Sequence, residues 1–474
     1  MPIDDVNATP TQAGDTATDM PAIFLDVSGI LQWGHQPPTG IQRVEIAIAR
    51  QAAERADITL VSYDRLKGRY HTLTPAHRSY LDSILEGSRL NQIAELRAGQ
   101  LPSQLGLQLQ FRGKELGRQI AQKYIGASTR GGLHYTAVKT AIRLYGRLYA
   151  LSHRLAGKAH GPAPASSEGP RAILISHEFA RNDAARRAAV HLGAQPVYLV
   201  YDIIPIRQPQ FVSARFAATM DAFINRWLAT DDPMLTISQA VKTDIVALSR
   251  DRGHENVAHR IQVCPLGSSL AASDAASRPI EILLNRRFAL YCSSLTPHKR
   301  QDVLVDAWIR LNRLLPAEDL PDLVLIGRAG KIMPKIDSLL DGAPETRSKV
   351  HVLTDIQDDQ LAWAYRNASL GLFASVNEGW GLGVSESLAY GLPIVHSAAP
   401  SLREASQGLM PVVEGETADA WVEMLKPLFL HPERIAALRE TIKAQYQPGT
   451  PGDFARDVLS AVASHAGPRP ADQI

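Results

Sequence analysis

The sequence predicts an α/β protein with two domains, each built on a parallel sheet. Two observations carry this. Short apolar runs alternate with helical stretches, once before about residue 278 and again from about 279, the pattern of strands joined by crossover helices. The chain of 474 residues is also long enough for two or three domains.

The first twenty residues, rich in Thr, Ala and Asp, read as a disordered lead rather than a signal peptide, because they hold no apolar core. Ile23–Val27 is the first strand and Gly29–Pro38 a loop; Thr39 is the expected cap of a helix opening at Gly40. Arg43 in that helix is either a cleft cation or a solvated residue, and Gly40 suits a close backbone approach. Ile58–Tyr63 is the second strand. Residues 70–165 break the rhythm: they read as a helical insertion without a strand. Within it, 105–160 carry ten Lys or Arg against one acid, Glu115. Arginines and aromatics interleave at helical spacing over Ile142–Leu151. Such a helix reads as a membrane-surface or lipid-diphosphate contact, with a solvated helical face as the alternative. A nucleic-acid role has no accompanying motif. Gly161–Pro170 reads as a flexible linker.

Ala172–Ser176 and Pro196–Tyr201 are buried strands around a helical stretch, Asp183–His191; the apolar segments Trp227–Thr230 and Leu235–Ser238 follow. Asp202 stands where a strand meets a loop and either orients a ligand hydroxyl or caps the following turn. Asp231-Asp232 precedes Pro233 and reads as a turn, not a metal pair. Cys264 to Pro279 closes the first domain, and the tail helix Phe454–Ala463 follows two helices, 418–429 and 432–446.

The most informative segment is Ser375–Pro393. A strand, Leu370–Ala374, enters it and another, Pro393–His396, leaves. Between them a loop with Gly379, Gly381 and Gly383 joins two glutamates, Glu378 and Glu386, eight positions apart. Glycines leave backbone amides accessible, and amides beside a helix N-terminus suit phosphate or sugar oxygens. A carboxylate is an acceptor for paired hydroxyls. The plainer alternative makes Glu378 a surface charge and Glu386 a complement to the helix dipole, worth ~0.3–1 kcal/mol. The loop lacks the glycine spacing of a dinucleotide fingerprint, and Gly327-Arg-Ala-Gly330-Lys331-Ile332 is no P-loop.

Glu378-Gly-Trp-Gly-Leu, followed by Glu386-Ser-Leu-Ala-Tyr-Gly-Leu-Pro-Ile-Val, resembles the paired-glutamate signature of the family 4 retaining glycosyltransferases, which have the GT-B fold. The likeness continues in Leu290–Lys299, Val324–Gly327 and His351–Ala368, so it covers roughly 285–400. In the N-terminal half, Asp26-Val-Ser, Thr39-Gly40-Ile-Gln-Arg43-Val and Tyr201-Asp202-Ile-Ile-Pro205 resemble members that build bacterial surface polysaccharides, with Tyr201 where many carry histidine. The resemblance implies two Rossmann-like domains facing a cleft: 21–278 for the acceptor, with the basic helical insertion, and 279–447 for a nucleotide sugar. The chain at 448–474 then returns to the first domain. It implies Glu378 at the transferred sugar, Lys299 at the diphosphate, Asp202 at the acceptor and Glu386 at the ribose. Gly379, Trp380, Gly381 and Leu382, with His298, Gly327 and Gly40, complete the donor contacts. Ser294 stands where many members place an arginine, which leaves His298 and Arg300 as candidates for the second positive charge. Gly383 replaces a customary proline and is expected to loosen the loop.

Composition is that of an ordinary globular protein, 45% hydrophobic and 21% charged with net charge +2. No apolar run approaches the ~20 residues that span a bilayer. Two cysteines in no metal or redox motif fit a reducing, cytoplasmic setting, peripheral to the inner membrane if the basic stretch binds lipid. The expected reaction is transfer of a hexose, first mannose from GDP-mannose, to a polyprenyl-diphosphate-linked saccharide, with no metal, cofactor or nucleic acid. The alternatives are a UDP-hexose transferase, a nucleotide-sugar epimerase and a non-catalytic nucleotide-sugar binding protein.

Overall fold

The computed structural model describes residues 22–34, 40–64, 67–86, 171–175, 182–268 and 277–466. The expected lead, the linker and nearly all of the helical insertion, its basic stretch 105–160 included, lie outside the described residues.

The N-terminal sheet is formed by β1 (Ala22–Asp26), β2 (Ile58–Asp64), β3 (Arg69–Thr72), β4 (Arg171–Ile175), β5 (Gln195–Val200), β6 (Met234–Thr236) and β7 (Ile261–Val263). Their order is β3-β2-β1-β4-β5-β6-β7. Every neighbouring pair is parallel except β2–β3. Here the structure corrects the sequence reading, which placed no strand in 70–165. Arg69-Tyr-His-Thr is short and polar, and pairing with β2 rather than hydrophobicity makes it an edge strand.

Around this sheet lie α1 (Ser28–Trp33), α2 (Gly40–Ala53), α3 (Pro75–Leu85), α4 (Asn182–His191), α5 (Ile204–Arg207), α6 (Ala214–Leu228) and α7 (Gln239–Asp251). Helix α1 falls inside the stretch expected to be loop. Trp227 belongs to the end of α6, so of the two apolar segments expected after β5 only the second holds a strand. Ser213 and Ser238 cap α6 and α7, accepting from Phe216 N and Val241 N. The supposed cap of α2, Thr39, lies outside the described residues.

The C-terminal sheet has β8 (Phe288–Cys292), β9 (Asp322–Ile326), β10 (Val350–Leu353), β11 (Leu370–Phe373), β12 (Ile394–Ser397) and β13 (Val412–Val413). The order β10-β9-β8-β11-β12-β13 is parallel throughout. β9 and β11 are buried along their whole length, as strands covered on both faces must be. The covering helices are α8 (Gln301–Leu314), α9 (Met333–Asp341), α10 (Asp358–Asn367), α11 (Leu382–Ala389), α12 (Pro400–Ala405), α13 (Ala418–Leu430) and α14 (Pro432–Gln445). The last helix, α15 (Pro451–Ser464), starts at a Thr450/Asp453 capping box. It packs on α2, β1 and β4 of the other domain.

Among the described residues no helix is long and apolar enough to cross a membrane.

Candidate functional site

The parallel strands of both sheets end towards the same interdomain cleft, where β11 runs into the loop that carries Glu378. Ser375, fully buried, anchors this loop: its hydroxyl bonds the Glu378 carboxylate at 2.7 Å and the Tyr291 hydroxyl at 2.9 Å. Tyr291, at the end of β8, also donates to the Lys299 carbonyl at 2.8 Å. Val376 N donates to the His298 carbonyl at 2.9 Å. The two loops are thereby stitched together, and Lys299 Nζ meets Glu378 Oε1 in an ion pair whose side chains are only 14% and 11% exposed. Burial by itself would raise the Glu378 carboxyl. The Lys299 ammonium and the bonds from Lys299 and Ser375 outweigh it and hold the carboxyl below the usual range. Ser375 and Tyr291 had no role in the sequence reading. A serine three residues before the glutamate is a weak signal without knowledge of where Tyr291 points.

Glu386 lies in α11, 7% exposed, and accepts from the Tyr365 hydroxyl at 2.8 Å. Leu382 opens this helix and Gly381, with φ 102°, precedes it. The first amides of a helix lack intrahelical acceptors, so this turn offers donors towards the cleft.

The N-terminal domain presses on the loop from the opposite side. Ser238 Oγ donates to the Gly379 carbonyl at 2.7 Å while capping α7. A Cβ at Gly379 would lie 2.1 Å from the Tyr201 carbonyl oxygen. Asp202 therefore faces the glutamate loop across the cleft. Its Oδ1 accepts from Ile204 N at 2.9 Å, so it caps the turn as well as facing the cleft. Burial pushes its carboxyl up to about 6, helped by the neighbouring charge of Glu378 and opposed by the Ile204 bond and Lys299.

Three further contacts tie the domains. Glu404 of α12 accepts from Gln239 N at 2.8 Å and Ala240 N at 3.1 Å, at the start of α7. Gly40, at the start of α2, abuts Leu382: a Cβ there would lie 2.7 Å from Leu382 Cδ1. Three residues on, Arg43 reaches Asp358 at the start of α10, 2.7 Å away and 315 positions later in the chain. Arg43 is thus a cleft residue rather than a solvated one. So partly exposed a pair adds only ~0–1 kcal/mol, and its position matters more than its strength.

Further contacts show what surrounds the other residues expected at the donor. The Trp380 indole is buried, donating to the Gly267 carbonyl at 2.8 Å, so its ring packs inside the protein rather than lining the cleft. Gly327 ends β9 against the Ser293 carbonyl, leaving no room for a side chain. Gly383 does not loosen the loop: it is buried in α11, and a Cβ there would sit 2.1 Å from the Phe373 ring. His298 is pushed down to about 4 by burial and by Lys299, so it is neutral at pH 7 and brings no second positive charge. Its ring lies 5.9 Å from that of Phe211 in the opposite domain. Arg300 pairs with Asp302 and with Glu416, and lines a cavity of about 220 Å³ on the other side of the loop residues Ser375 and Val376, together with Ser397 and Trp421.

Among the described residues no group of three His, Cys, Asp or Glu is arranged to hold a metal ion. Asp232 serves structure, accepting from Arg186 and from the Tyr198 hydroxyl. Cys264 and Cys292 are both free.

Residues 286–430 match the family model described as Glycosyl transferases group 1. A D-inositol 3-phosphate glycosyltransferase of Rhodococcus opacus is 29% identical over 191 residues, 38% of this chain and 42% of that protein. The serotype-specific mannosyltransferase WbdA of Escherichia coli is 24% identical over 225 residues, 45% of this chain and 27% of that protein. The chain therefore spans less than half the length of these relatives. Among solved structures, Anabaena HepE in complex with UDP and glucose superposes with a TM-score of 0.55 at 14% identity, covering 94% of this chain and all of that one. WaaG, a glycosyltransferase involved in lipopolysaccharide biosynthesis, gives 0.51 at 14% identity over 93% and 99% of the two chains. The fold is GT-B.

Proposed function

We propose, from the match of residues 286–430 to the group 1 glycosyltransferase model, that this chain is a retaining transferase moving a hexose from a nucleoside diphosphate to an acceptor hydroxyl. Mannose from GDP-mannose is the first donor, and a lipid-linked saccharide of a surface polysaccharide the acceptor. The observation that carries the reading is the buried Lys299–Glu378 pair, held by Ser375 and facing Asp202 across the cleft.

In the reaction the bond from the anomeric carbon to the diphosphate breaks as the acceptor oxygen bonds to that carbon. Lys299 exchanges Glu378 for the departing diphosphate, and the amides at the start of α11 share the developing charge, a preorganised arrangement of the kind that supplies the largest part of many rate enhancements. Freed of Lys299, Glu378 accepts from hydroxyls of the transferred sugar. Glu386 holds the ribose and Asp202 orients the acceptor hydroxyl, whose proton passes to the leaving phosphate oxygen. This scheme calls for no metal or cofactor.

Mannose is supported by the partial match to WbdA. A UDP-hexose is the second reading, since the glycosyltransferase matched from Rhodococcus is not named for mannose. The reading is tested by release of nucleoside diphosphate from GDP-mannose and from UDP-hexoses, with and without a polyprenyl-diphosphate saccharide. Acceptor-dependent release is expected. Epimerised sugar without acceptor, or no turnover of any donor, overturns it.

The membrane-side acceptor assigns a task to the basic stretch 105–160, at about 1 kcal/mol of attraction per Lys or Arg near an anionic leaflet. Deleting 105–160 is expected to abolish cosedimentation with anionic liposomes; undiminished binding removes this part of the proposal and the peripheral placement at the cytoplasmic face with it.

Asp202 has a pH signature. Because its carboxyl is raised from 3.8 to about 6, the folded protein keeps a proton that the unfolded chain releases between those values. Stability therefore falls as pH rises through that window and levels off above it. Asp202→Asn is expected to flatten that fall in a thermal melt series, and to lower kcat/KM above about pH 6, where the wild-type group is ionised. An unchanged melt profile would show that Asp202 is not the group involved.

A further inference from the structure

We propose that Arg43 is the second cation of the donor site, delivered from the opposite domain, and that it exchanges Asp358 for the diphosphate of the donor. The inference rests on the donor-site reading above and adds a residue that reading does not contain. Lys299 is paired with Glu378, His298 is neutral, and Arg300 is turned to Asp302 and Glu416. The loop after β8 thus brings one available cation, Lys299, to a leaving group that carries two or more negative charges.

Arg43 is placed to add another. The close approach of Gly40 to Leu382 sets α2 directly against the first residue of the helix that carries Glu386. One turn along α2, the Arg43 guanidinium lies within electrostatic reach of Glu386, the carboxylate assigned to the ribose. Its side chain is 23% exposed, and its partner Asp358 is 48% exposed. An ion pair so open to water is readily exchanged, and a guanidinium presents a planar fork that matches phosphate oxygens. The geometry assigns Arg43 two tasks. Without donor it clasps the domains through Asp358. With donor it contacts the diphosphate from the N-terminal domain while Lys299 contacts it from the C-terminal domain, so that binding the donor also ties the two domains together.

The test is titration of the full chain with UDP and GDP, each against its nucleoside. Arg43→Gln is expected to weaken nucleoside diphosphate binding about tenfold, as loss of one charge-assisted phosphate contact does, and to leave nucleoside binding unchanged. Asp358→Asn breaks the same ion pair but keeps the cation, so diphosphate affinity is expected to hold or rise; Arg43→Lys is expected to recover part of the loss. Equal losses in Arg43→Gln and Asp358→Asn would make the pair a structural clasp only and overturn the proposal. So would parallel losses of nucleoside and diphosphate binding in Arg43→Gln, or no loss at all. Lys299→Ala and Glu386→Ala are titrated alongside. If they weaken binding and Arg43→Gln does not, this inference alone falls; if none of the three matters, the donor-site reading falls with it.

Discussion

Lys299→Ala is expected to leave a folded protein that no longer transfers sugar, with turnover reduced by about 10²–10³-fold or more. The reason is the same pair that organises the empty site. Removing the ammonium withdraws the charge that meets the leaving diphosphate and strands the Glu378 carboxylate, 11% exposed, with Ser375 as its remaining neutralising contact among those that hold it ionised. Breaking one side of a buried pair costs ~3–5 kcal/mol, an amount that proton uptake by Glu378 limits. That proton gives the variant a signature. In the wild type Glu378 is held below 4.5, so its contribution to stability is present above that value and disappears as pH falls through the lower folded one. In Lys299→Ala the sign reverses: burial now raises the group, and stability improves as pH falls. Melts at several pH values read this directly. Lys299→Met combined with Glu378→Gln separates the two effects, restoring stability without turnover. Wild-type turnover in either single variant would remove the pair from the mechanism.

Gly379→Ala is expected to act on the cleft rather than on the chemistry. A single added carbon would stand 2.1 Å from the Tyr201 carbonyl oxygen and 3.4 Å from Asp202 Cβ, both in the opposite domain. The carbonyl of the same residue is held by Ser238, so neither backbone can give way without opening the interface. A shift of about 1 Å between reacting groups costs on the order of 10²-fold in rate, and turnover is expected to fall by at least that. Nucleoside binding, carried mainly by one domain, is expected to change much less than diphosphate binding, which draws on Arg43 across the interface. X-ray scattering checks the cause: the variant should have a larger radius of gyration. A variant of unchanged dimensions and full turnover would show that the closed arrangement is not the reacting one.

These expectations divide along the line of what could be read from the sequence. The glutamate loop was legible because its signal is local: strand, glycines, carboxylate and helix follow one another within about twenty residues. Arg43 was ambiguous because its partner lies 315 positions away, and no local pattern distinguishes a solvated arginine from one that reaches another domain. What holds the Trp380 ring was hidden for a related reason: its indole N–H goes to the Gly267 carbonyl, 113 positions earlier at the end of the first domain. Strand β3 escaped because an edge strand needs no apolar run, and Trp227 because a short apolar segment suits a helix end as well as a strand. Gly383, expected to loosen the loop, instead lets α11 lie against Phe373.

The return of α15 to the first domain has a consequence for biosynthesis. Phe454, Ala455, Val458, Leu459, Ala461 and Val462 are nearly or wholly buried, against α2, β1 and β4 among others. Those elements are complete once residue 175 has been made, yet the apolar surface they offer stays uncovered until residue 464 leaves the ribosome. At ~5–20 residues per second the delay from the end of the first domain is about 10–40 s. For that interval the nascent protein exposes a sticky face that α15, or a chaperone standing in for it, goes on to shield. Covering the first domain is thus deferred until the second has been made, and a chain cut short before α15 carries a finished second domain beside a first that still seeks a cover.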